Sequence, residues 1–418
     1  MLIVGVEERL ARWRARRKHF FILSAAGKPI YSRHGNESIT SSYIGVIQAI
    51  ISFFADSDDQ LQSFTSGRHR FAVLAAGPLY LVAISSLGET APQLRSQLDS
   101  LYAQVLSTLS LPQLTHAFAH RYNFDLRRLL GGTEVFLDGL VDSMIRGSPA
   151  ILLSALECIK LRKTHRAAVN NILIRHRAPS LLYGLLVAGG RLISVIRPKR
   201  HSLHPPDLML LFSMLFNATT FSDGSEHWIP ICLPRFNPKG FLHAYIHFFR
   251  PDLCMVLISA DKDAFFEMRA MREAAESALV AAKLLPVMQK AIPRYSVQDV
   301  IPGELRMVHF LYKSRQNVQF TMPEFSVCVD GEGKGGRRRL MRLYHRLHAS
   351  VHAKGAHLKG CWVSRGGEEA LAWVLPGCEV YVVARGGGRE RLAKAAMRVV
   401  RWVREEEERL FVIGGATF

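Results

Sequence analysis

Residues 19–32 read HFFILSAAGKPIYS, and this stretch decides the fold. His19–Leu23 is an apolar run typical of a strand, and Pro29–Ser32 returns as a second strand after a glycine-containing turn. A helix follows at about 41–54, with serines at its start that suit the N-cap position. The chain therefore opens with two hairpin strands and a helix.

Three short strands and a second helix complete this first copy. The strands are predicted at Leu61–Phe64, His69–Leu74 and Leu79–Ile84, with glycines in the turns between the later strands. Apolar residues then recur at helical spacing between 94 and 105. The resulting order is β-β-α-β-β-β-α, and it occurs three times along the 418 residues.

Two hairpin strands, a crossover helix and a three-strand meander form a five-stranded, mostly antiparallel sheet with helices packed on it. We therefore predict an α+β protein with three copies of one domain, which is compatible with the length of the chain. The predicted division is a basic N-terminal segment at 1–17, a first domain at 18–111, a helical basic connector at 112–177, a second domain at 178–295, a linker at 296–304 and a third domain at 305–418.

The composition favours a cytosolic protein with an ordinary core. Hydrophobic residues make up 49% of the chain, which is too high for a disordered protein. The six cysteines show no CxxC spacing, so we expect reduced thiols and no zinc ribbon. No apolar run has the length of a membrane span, and the charged residues near the N-terminus follow the first apolar stretch, unlike those of a signal peptide.

Basic residues are concentrated in local segments of the chain, which has a net charge of +19. Such segments between near-neutral domains suit an anionic membrane surface at least as well as a nucleic acid, and few aromatic residues lie among them. We therefore expect no nucleic acid partner. The candidate contacts to anionic phospholipids, including phosphoinositides, are Arg14, Arg16, Arg17, Lys160, Arg162, Lys163, Arg197, Lys199, Arg200, Arg337, Arg338 and Arg339. The alternative for each run is an ordinary solvated face.

The chain lacks the common signatures of nucleotide-binding and hydrolytic sites. It has no P-loop, no H-E-x-x-H and no G-x-S-x-G. One G-x-G-x-x-G occurs at Gly331–Gly336, but the position of the acidic residue expected about 20 residues later offers only basic residues and histidines. We predict a flexible solvated loop there. We expect neither a cofactor nor a covalent catalytic site.

Two groups of histidines have helical spacing. His345, His348 and His352 follow one another at i, i+3 and i+7, and His116 and His120 are four residues apart. Metal binding would need a further carboxylate or thiolate ligand, and no such residue lies near them at matching spacing. We interpret both groups as surface histidines and predict no metal site.

The first helix of the first copy is apolar on two sides. Its two stripes are Ile44, Ile47, Ile51 and Phe54 on one side, and Tyr43, Val46, Ile50 and Phe53 on the other. A helix that lies on a sheet needs one apolar stripe only. The more common explanation is burial on all sides, with segment 112–150 as the cover. The alternative is that the helix presents an apolar face to another protein.

Five segments resemble the Mon-one family, the larger longin subunit of the Mon–Ccz exchange factor for Rab GTPases. They are KPIYSR at Lys28–Arg33, YNFDLRRLL at Tyr122–Leu130, WIPICLP at Trp228–Pro234, FLYKS at Phe310–Ser314 and EEERLF at Glu406–Phe411. The resemblance extends from about Lys18 to Phe418. Family members usually carry a long polar N-terminal extension that this sequence lacks, and the loop at Gly331–Gly336 matches nothing in the family.

The resemblance implies three longin domains and a heterodimer with a Ccz-type longin subunit, formed through the first domain. It implies a Rab-seven-type GTPase of late endosomes and vacuoles as the substrate, which is loaded with GTP to support membrane fusion, endosome maturation and autophagy. It also implies an early-endosomal Rab as recruiter and a cytoplasmic, peripheral location at the late endosome or vacuole membrane. The alternative is a longin adaptor, tethering or coat subunit without exchange activity.

An exchange factor needs apolar anchors and a few polar groups rather than acids and bases. The candidate residues for binding the Rab or the partner subunit are Tyr31, Ser32, Arg33, Ser42, Tyr43, Val46 and Ile50. The alternative for Tyr31 and Arg33 is ordinary decoration of a strand edge. Trp228 is a candidate docking point for the early-endosomal Rab, although a cap on the core of the second domain is the more common role for such a tryptophan.

Overall fold

The computed structural model describes residues 6–35, 37–121, 124–201, 203–217, 224–302, 307–325, 334–353 and 358–418. Residues 122–123 and 331–333, which belong to segments discussed above, lie outside these ranges. The chain forms two compact units, one ending at Arg146 and the other running from Gly147 to Phe418 apart from Asn237–Gly240. Among the described residues, no helix is both long and apolar enough to cross a bilayer.

The first unit contains the first predicted domain. After α1 (Val6–Arg14), its elements are β1 (Lys18–Ser24), β2 (Pro29–Ser32), α2 (Glu37–Ala55), β3 (Ser63–Ser66), β4 (His69–Ala76), β5 (Leu79–Ser85) and α3 (Ala91–Leu109). The sheet is antiparallel with the order β2-β1-β5-β4-β3. Gly27 has a φ of 78° in the turn between β1 and β2, a backbone conformation that glycine adopts without strain. The predicted order of elements is confirmed.

Helices cover both faces of this first sheet. One stripe of α2, at Ile44, Ile47 and Ile51, packs with Phe21 and Leu23 of β1. Helix α3 packs against β4 and β5 and buries a row of apolar residues at helical spacing. Strand β1 is therefore buried along its whole length. Three further helices, α4 (Leu111–His120), α5 (Arg127–Leu130) and α6 (Glu134–Arg146), pack against α3 rather than against α2.

The second unit contains the other two predicted domains. The second domain comprises β7 (Leu181–Ala188), β8 (Arg191–Arg197), α9 (Pro205–Asn217), β9 (Glu226–Leu233), β10 (Asn237–Arg250), β11 (Leu253–Ser259) and α10 (Phe265–Ala281), followed by α11 (Leu284–Lys290). The third domain comprises β12 (Met307–Ser314), β13 (Gln319–Thr321), α12 (Lys334–Val351), β14 (Gly360–Arg365), β15 (Glu368–Val374), β16 (Cys378–Arg385) and α13 (Gly388–Glu405), followed by α14 (Glu407–Leu410). Both repeat the order of the first domain.

Each sheet of the second unit has a sixth strand that the sequence analysis missed. Strand β6 (Leu156–Glu157) runs parallel to β13 in the sheet β14-β15-β16-β12-β13-β6. Strand β17 (Ala416–Thr417) runs parallel to β8 in the sheet β17-β8-β7-β11-β10-β9. Each added strand has only two residues, too few for a periodic pattern to be visible in the sequence.

The connector joins the second and third domains and is not simply a helical spacer. It contains α7 (Pro149–Leu153), β6 and α8 (Lys163–Arg175). Strand β6 pairs with the sheet of the third domain. The next residue, Cys158, forms an isolated parallel β-bridge with the backbone of Leu192 in β8, in the second domain. Arg166 is buried and donates to the carbonyl oxygens of Ile159, Ile193 and Arg409. A buried guanidinium needs such acceptors because an unpaired charge in the interior is costly.

Two further segments differ from the sequence-based expectations. In the predicted linker, Val297, Val300 and Ile301 are buried in the core of the third domain. In the predicted solvated loop, residues 334–336 already belong to the first turn of α12. Both segments are therefore used, at least in part, to build the third domain.

A buried ion pair lies at the entry to the first domain. Lys18, the first residue of β1, is 2.6 Å from Glu89, and the two side chains are almost fully buried. Glu89 also accepts hydrogen bonds from Ser85 and Gln97. Burial lowers the pKa of Lys18, and the carboxylate of Glu89 opposes this shift. The pair fixes the start of β1 beside the start of α3.

We predict that Lys18→Met lowers the free energy of unfolding by about 3–5 kcal/mol, because it removes one charge of a buried, hydrogen-bonded ion pair. The double variant Lys18→Met/Glu89→Leu should recover most of this loss, since it removes both charges. Urea unfolding of the three proteins measures the difference. Equal stability of the single variant and the parent protein would contradict the assignment.

Candidate apolar interface on the first domain

Helix α2 exposes an apolar face to solvent. We call this the outer face of α2 and define it by Ser42, Gly45, Val46, Ala49 and Phe53, which are all exposed. Val46 is 61% exposed and Phe53 is 70% exposed. These residues follow the i, i+3, i+4, i+7 spacing of one helical stripe. Exposed apolar side chains that lie together on one element are typical of a protein interaction site.

The outer face is exposed because the opposite side of α2 packs on the sheet and no other described helix packs over the outer side. Ile44, Ile47 and Ile51 face the sheet, whereas α4, α5 and α6 pack on α3. The expectation that segment 112–150 covers α2 on its outer side is therefore wrong. Gly45 has no neighbouring atom within 4 Å of an ideal Cβ position, so a partner helix can approach the backbone closely there.

Two predicted interface residues of α2 are only partly accessible. Tyr43 is half-buried because its ring lies 4.7 Å from that of Trp13 and its hydroxyl accepts a hydrogen bond from Arg14 at 2.6 Å. Ile50 is also half-buried. The sequence analysis instead left Phe53 out of the candidate residues, although its helical spacing from Val46 and Ile50 was visible. Ser42 and Val46, which are candidates for binding the Rab or the partner subunit, lie on the outer face.

The predicted residues of β2 form contacts within the first unit. Tyr31 is buried and donates to Asp138 at 2.7 Å, and Arg33 forms a two-point ion pair with Asp142 at 2.9 and 3.0 Å. Ser32 donates to the carbonyl oxygen of His34. The expectation that Tyr31 is an accessible binding residue is therefore wrong. The alternative role for Tyr31 and Arg33, ordinary decoration of a strand edge, does not account for these contacts with α6. Tyr31 and Arg33 instead attach β2 to α6.

The electrostatics of this attachment are consistent with its geometry. The Arg33 guanidinium holds the pKa of the Asp142 carboxyl below its usual range. Burial, together with the nearby Asp138 carboxylate, raises the pKa of the Tyr31 hydroxyl. Asp138 and Asp142 are one helical turn apart on α6, so they face β2 together. The sequence analysis missed both, because no local pattern connects residues more than 100 positions apart.

Trp228 is partly buried and caps the core of the second domain. Its ring stacks on His243 at 5.5 Å and meets Phe265 edge-on at 6.1 Å, while its indole N–H donates to the carbonyl oxygen of Lys262. Its neighbour Phe266, next to Phe265 on α10, is 73% exposed. The sequence analysis did not select Phe266, since its position at the start of a helix carries no periodic signal.

Most of the candidate lipid contacts are exposed, and several of these exposed side chains also have partners within the protein. Lys160 pairs with Glu406, Lys163 with Glu408 and Arg339 with Glu368. Arg197 donates to the carbonyl oxygens of Pro198, His201 and Gly414. Arg337 lies over the ring of Phe325, and Arg14 and Arg16 contact Tyr43 and His34, respectively. The remaining five candidates are exposed, and they are Arg17, Arg162, Lys199, Arg200 and Arg338.

Helix α13 carries a further basic face that was not among the candidates. Leu392, Ala396, Val399 and Val403 face the core, and the opposite side exposes Arg391, Lys394, Arg398 and Arg401. An exposed basic face opposite an apolar stripe suits contact with an anionic surface.

Three family models match the chain, one for each domain. They are the first, second and third longin domains of FUZ, MON1 and HPS1, and they match residues 18–140, 179–275 and 306–407. Together they cover most of the chain in the order of its three sheets. The prediction of three longin domains is therefore confirmed.

Full-length relatives extend the same match across the whole chain. It is 45% identical to the vacuolar fusion protein MON1 of Yarrowia lipolytica over 99% of this chain and 77% of the relative. It is 37% identical to the vacuolar fusion protein MON1 homolog A of Bos taurus over 99% of this chain and 74% of the relative. It is 37% identical to the protein SAND of Takifugu rubripes over 97% of this chain and 78% of the relative. With three longin domains and this similarity along its length, the chain belongs to the MON1 family of vacuolar fusion proteins.

Proposed function

We propose that this chain is a subunit of a guanine-nucleotide exchange factor that acts on a Rab-seven-type GTPase in vacuole fusion. The name shared by its relatives supports the role in vacuole fusion. The single observation that carries the exchange proposal is the outer face of α2, an apolar surface on the first longin domain. A Ccz-type longin subunit is the proposed partner in the complex.

Exchange requires differential binding and no covalent chemistry. The factor must bind the nucleotide-free GTPase more tightly than the GDP-bound form, because a ligand shifts an equilibrium only by its difference in affinity. GDP is held by the phosphate-binding loop, its lysine and Mg²⁺. A protein surface that draws the switch segments away from the phosphates and the metal therefore lowers the affinity for GDP.

The outer face of α2 has the chemistry for this task. Val46 and Phe53 offer apolar anchors two helical turns apart, and the small residues Gly45 and Ala49 beside them allow close approach. Binding energy at protein interfaces is concentrated in a few such anchors. Residues Tyr31 and Arg33 contribute indirectly in this proposal, since they position β2 against α6 and thereby support the domain that carries α2.

The alternative function is a longin adaptor, tethering or coat subunit without exchange activity. It has the same fold and uses the same exposed face to hold a partner. The two functions differ in one measurable property, which is whether the assembled complex accelerates the release of GDP from a Rab GTPase.

We further propose that the protein acts at the late endosome or vacuole membrane as a peripheral subunit. Exposed basic residues of the second unit, including Lys199, Arg200 and the basic face of α13, support contact with anionic phospholipids and phosphoinositides. The aromatic side chains of Trp228, Phe265 and Phe266 lie in contact one after another, and Phe266 is the exposed one. This cluster supports docking of an early-endosomal Rab as recruiter, with Phe266 as the accessible anchor.

We predict that Val46→Asp/Phe53→Asp abolishes nucleotide exchange or assembly with the partner subunit. Each lost anchor should weaken binding by about 2 kcal/mol, or about 30-fold. Release of fluorescent GDP from the Rab and co-purification of the partner measure the two effects. Val135→Asp is the matched control, because Val135 is 49% exposed but lies on α6. Normal exchange and normal assembly of the folded α2 variant would refute the site.

We predict opposite effects for the two aromatic residues at the second domain. Phe266→Ala should leave the free energy of unfolding within about 0.5 kcal/mol of the parent, because the side chain is exposed, and should weaken binding of the early-endosomal Rab. Trp228→Ala should lower stability, since its ring packs against the core. Unfolding and Rab pull-down of both variants test this. Undiminished Rab binding by Phe266→Ala would exclude it as an anchor.

We predict that Lys199→Ala/Arg200→Ala weakens binding to vesicles that contain phosphatidylserine and phosphoinositide. Each exposed basic residue contributes about 1 kcal/mol near such a surface. Lys160→Ala/Lys163→Ala is the matched control and should lose less, because both lysines are paired with glutamates. Vesicle flotation at increasing salt measures the effect. Binding that responds neither to salt nor to lipid charge would contradict electrostatic attachment.

A further inference from the structure

A group of metal-ligand side chains lies in the third domain, away from the surfaces considered above. His348 belongs to α12 and His352 directly follows this helix, one turn further on, and β16 places Glu379 beside both. One ligand atom from each of the three side chains lies within 4.8 Å of the others. The expectation that no carboxylate lies near these histidines is therefore wrong, because the sheet supplies one from 27 residues further along the chain.

One atom of the group lacks a hydrogen-bond partner. Nδ1 of His348 is buried and bonds to nothing in the described part of the chain. The other polar atoms are better satisfied: Glu379 accepts from the hydroxyl of Tyr381 at 2.9 Å and lies 3.1 Å from Nε2 of His352. Burying a polar atom without a partner is costly, so the arrangement around His348 is incomplete as it stands.

We propose that His348, His352 and Glu379 bind a divalent transition metal, with Zn²⁺ as the best fit, and that a water molecule completes the coordination. Two imidazoles and one carboxylate form a common ligand set for zinc. Ligand atoms about 2.1 Å from one ion lie about 3.4 Å apart. Nε2 of His352 and Oε2 of Glu379 are already 3.1 Å apart, so the change needed is an approach of at most about 1.4 Å by His348. Tyr381 supports the carboxylate from outside the ligand set, as such residues do in metal sites.

Lys313 opposes a cation here. Its Nζ lies 3.3 Å from Oε1 of Glu379, whereas His352 and Tyr381 contact Oε2. The two oxygens therefore have different roles, with Oε2 directed to the histidines and Oε1 paired with the lysine. Lys313 lowers the affinity for the metal without occupying the ligand atom. The site would join the end of α12 to β16, which is a structural role.

The other histidine pair of the chain provides a natural contrast. His116 and His120 on α4 have the same spacing, and their ring centroids are 4.2 Å apart, as are those of His348 and His352. Both are exposed, and in the described ranges they belong to no group of three metal-ligand residues. Two histidines at this spacing without a third protein ligand should bind zinc more weakly.

The experiment is a titration of the full chain, first treated with a chelator, with ZnCl₂ in competition with a chromophoric chelator. We expect one tightly bound equivalent. His352→Ala should weaken binding at least tenfold, and since His352 is exposed, the variant should keep its fold by circular dichroism. His120→Ala is the matched control and should bind as the parent does. Tyr381→Phe should weaken binding about 10- to 100-fold.

Titration with CoCl₂ gives an independent readout, because a four-coordinate site with nitrogen and oxygen ligands produces visible absorption. The absorption should appear in the parent and in His120→Ala and be lost in His352→Ala. Failure of the parent to bind zinc, or the same bound equivalent in His352→Ala, would overturn the proposal. So would loss of binding in His120→Ala with retention in His352→Ala.

Discussion

The apolar residues of α2 occupy two sides of the helix, and the sheet beneath can cover only one. Ile44, Ile47 and Ile51 take the place in the core, which leaves Val46 and Phe53 in water. Exposed apolar area costs about 25 cal/mol per Å² relative to burial, so a partner that covers this face gains that free energy on binding. One side of α2 therefore completes the first domain, and its other side is the face that we propose contacts another protein.

In the second and third domains, an edge strand of each sheet is covered by a short strand from the same unit. Strand β8 is extended by β17 from the C-terminus, and β13 is extended by β6 from the connector. A free edge offers unpaired backbone groups to other chains, and short added strands remove that exposure. In the described part of the first unit, β2 gains no such strand; Tyr31 and Arg33 attach it to α6 instead. The three copies of one fold thus differ at this corresponding edge.

The sequence predicted the order of elements because alternation and helical spacing are local signals. It predicted both apolar stripes of α2 but not which of them is buried. That depends on where α4, α5 and α6 pack, and they pack on α3. Contacts between distant residues were not predictable, and these include Arg33 with Asp142 and His352 with Glu379. The two-residue strands β6 and β17 were not predicted either, because they are too short to carry a periodic pattern.

We propose that the outer face of α2 contacts another protein in an exchange complex, and this contact can be measured. It is tested most directly by a photoactivatable phenylalanine analogue at position 53, with the same analogue at position 135 as reference, in complex with the partner subunit and the nucleotide-free GTPase. The account predicts crosslinks from position 53 to one of these two proteins and few from position 135. An active complex that shows no crosslink from position 53 would contradict it.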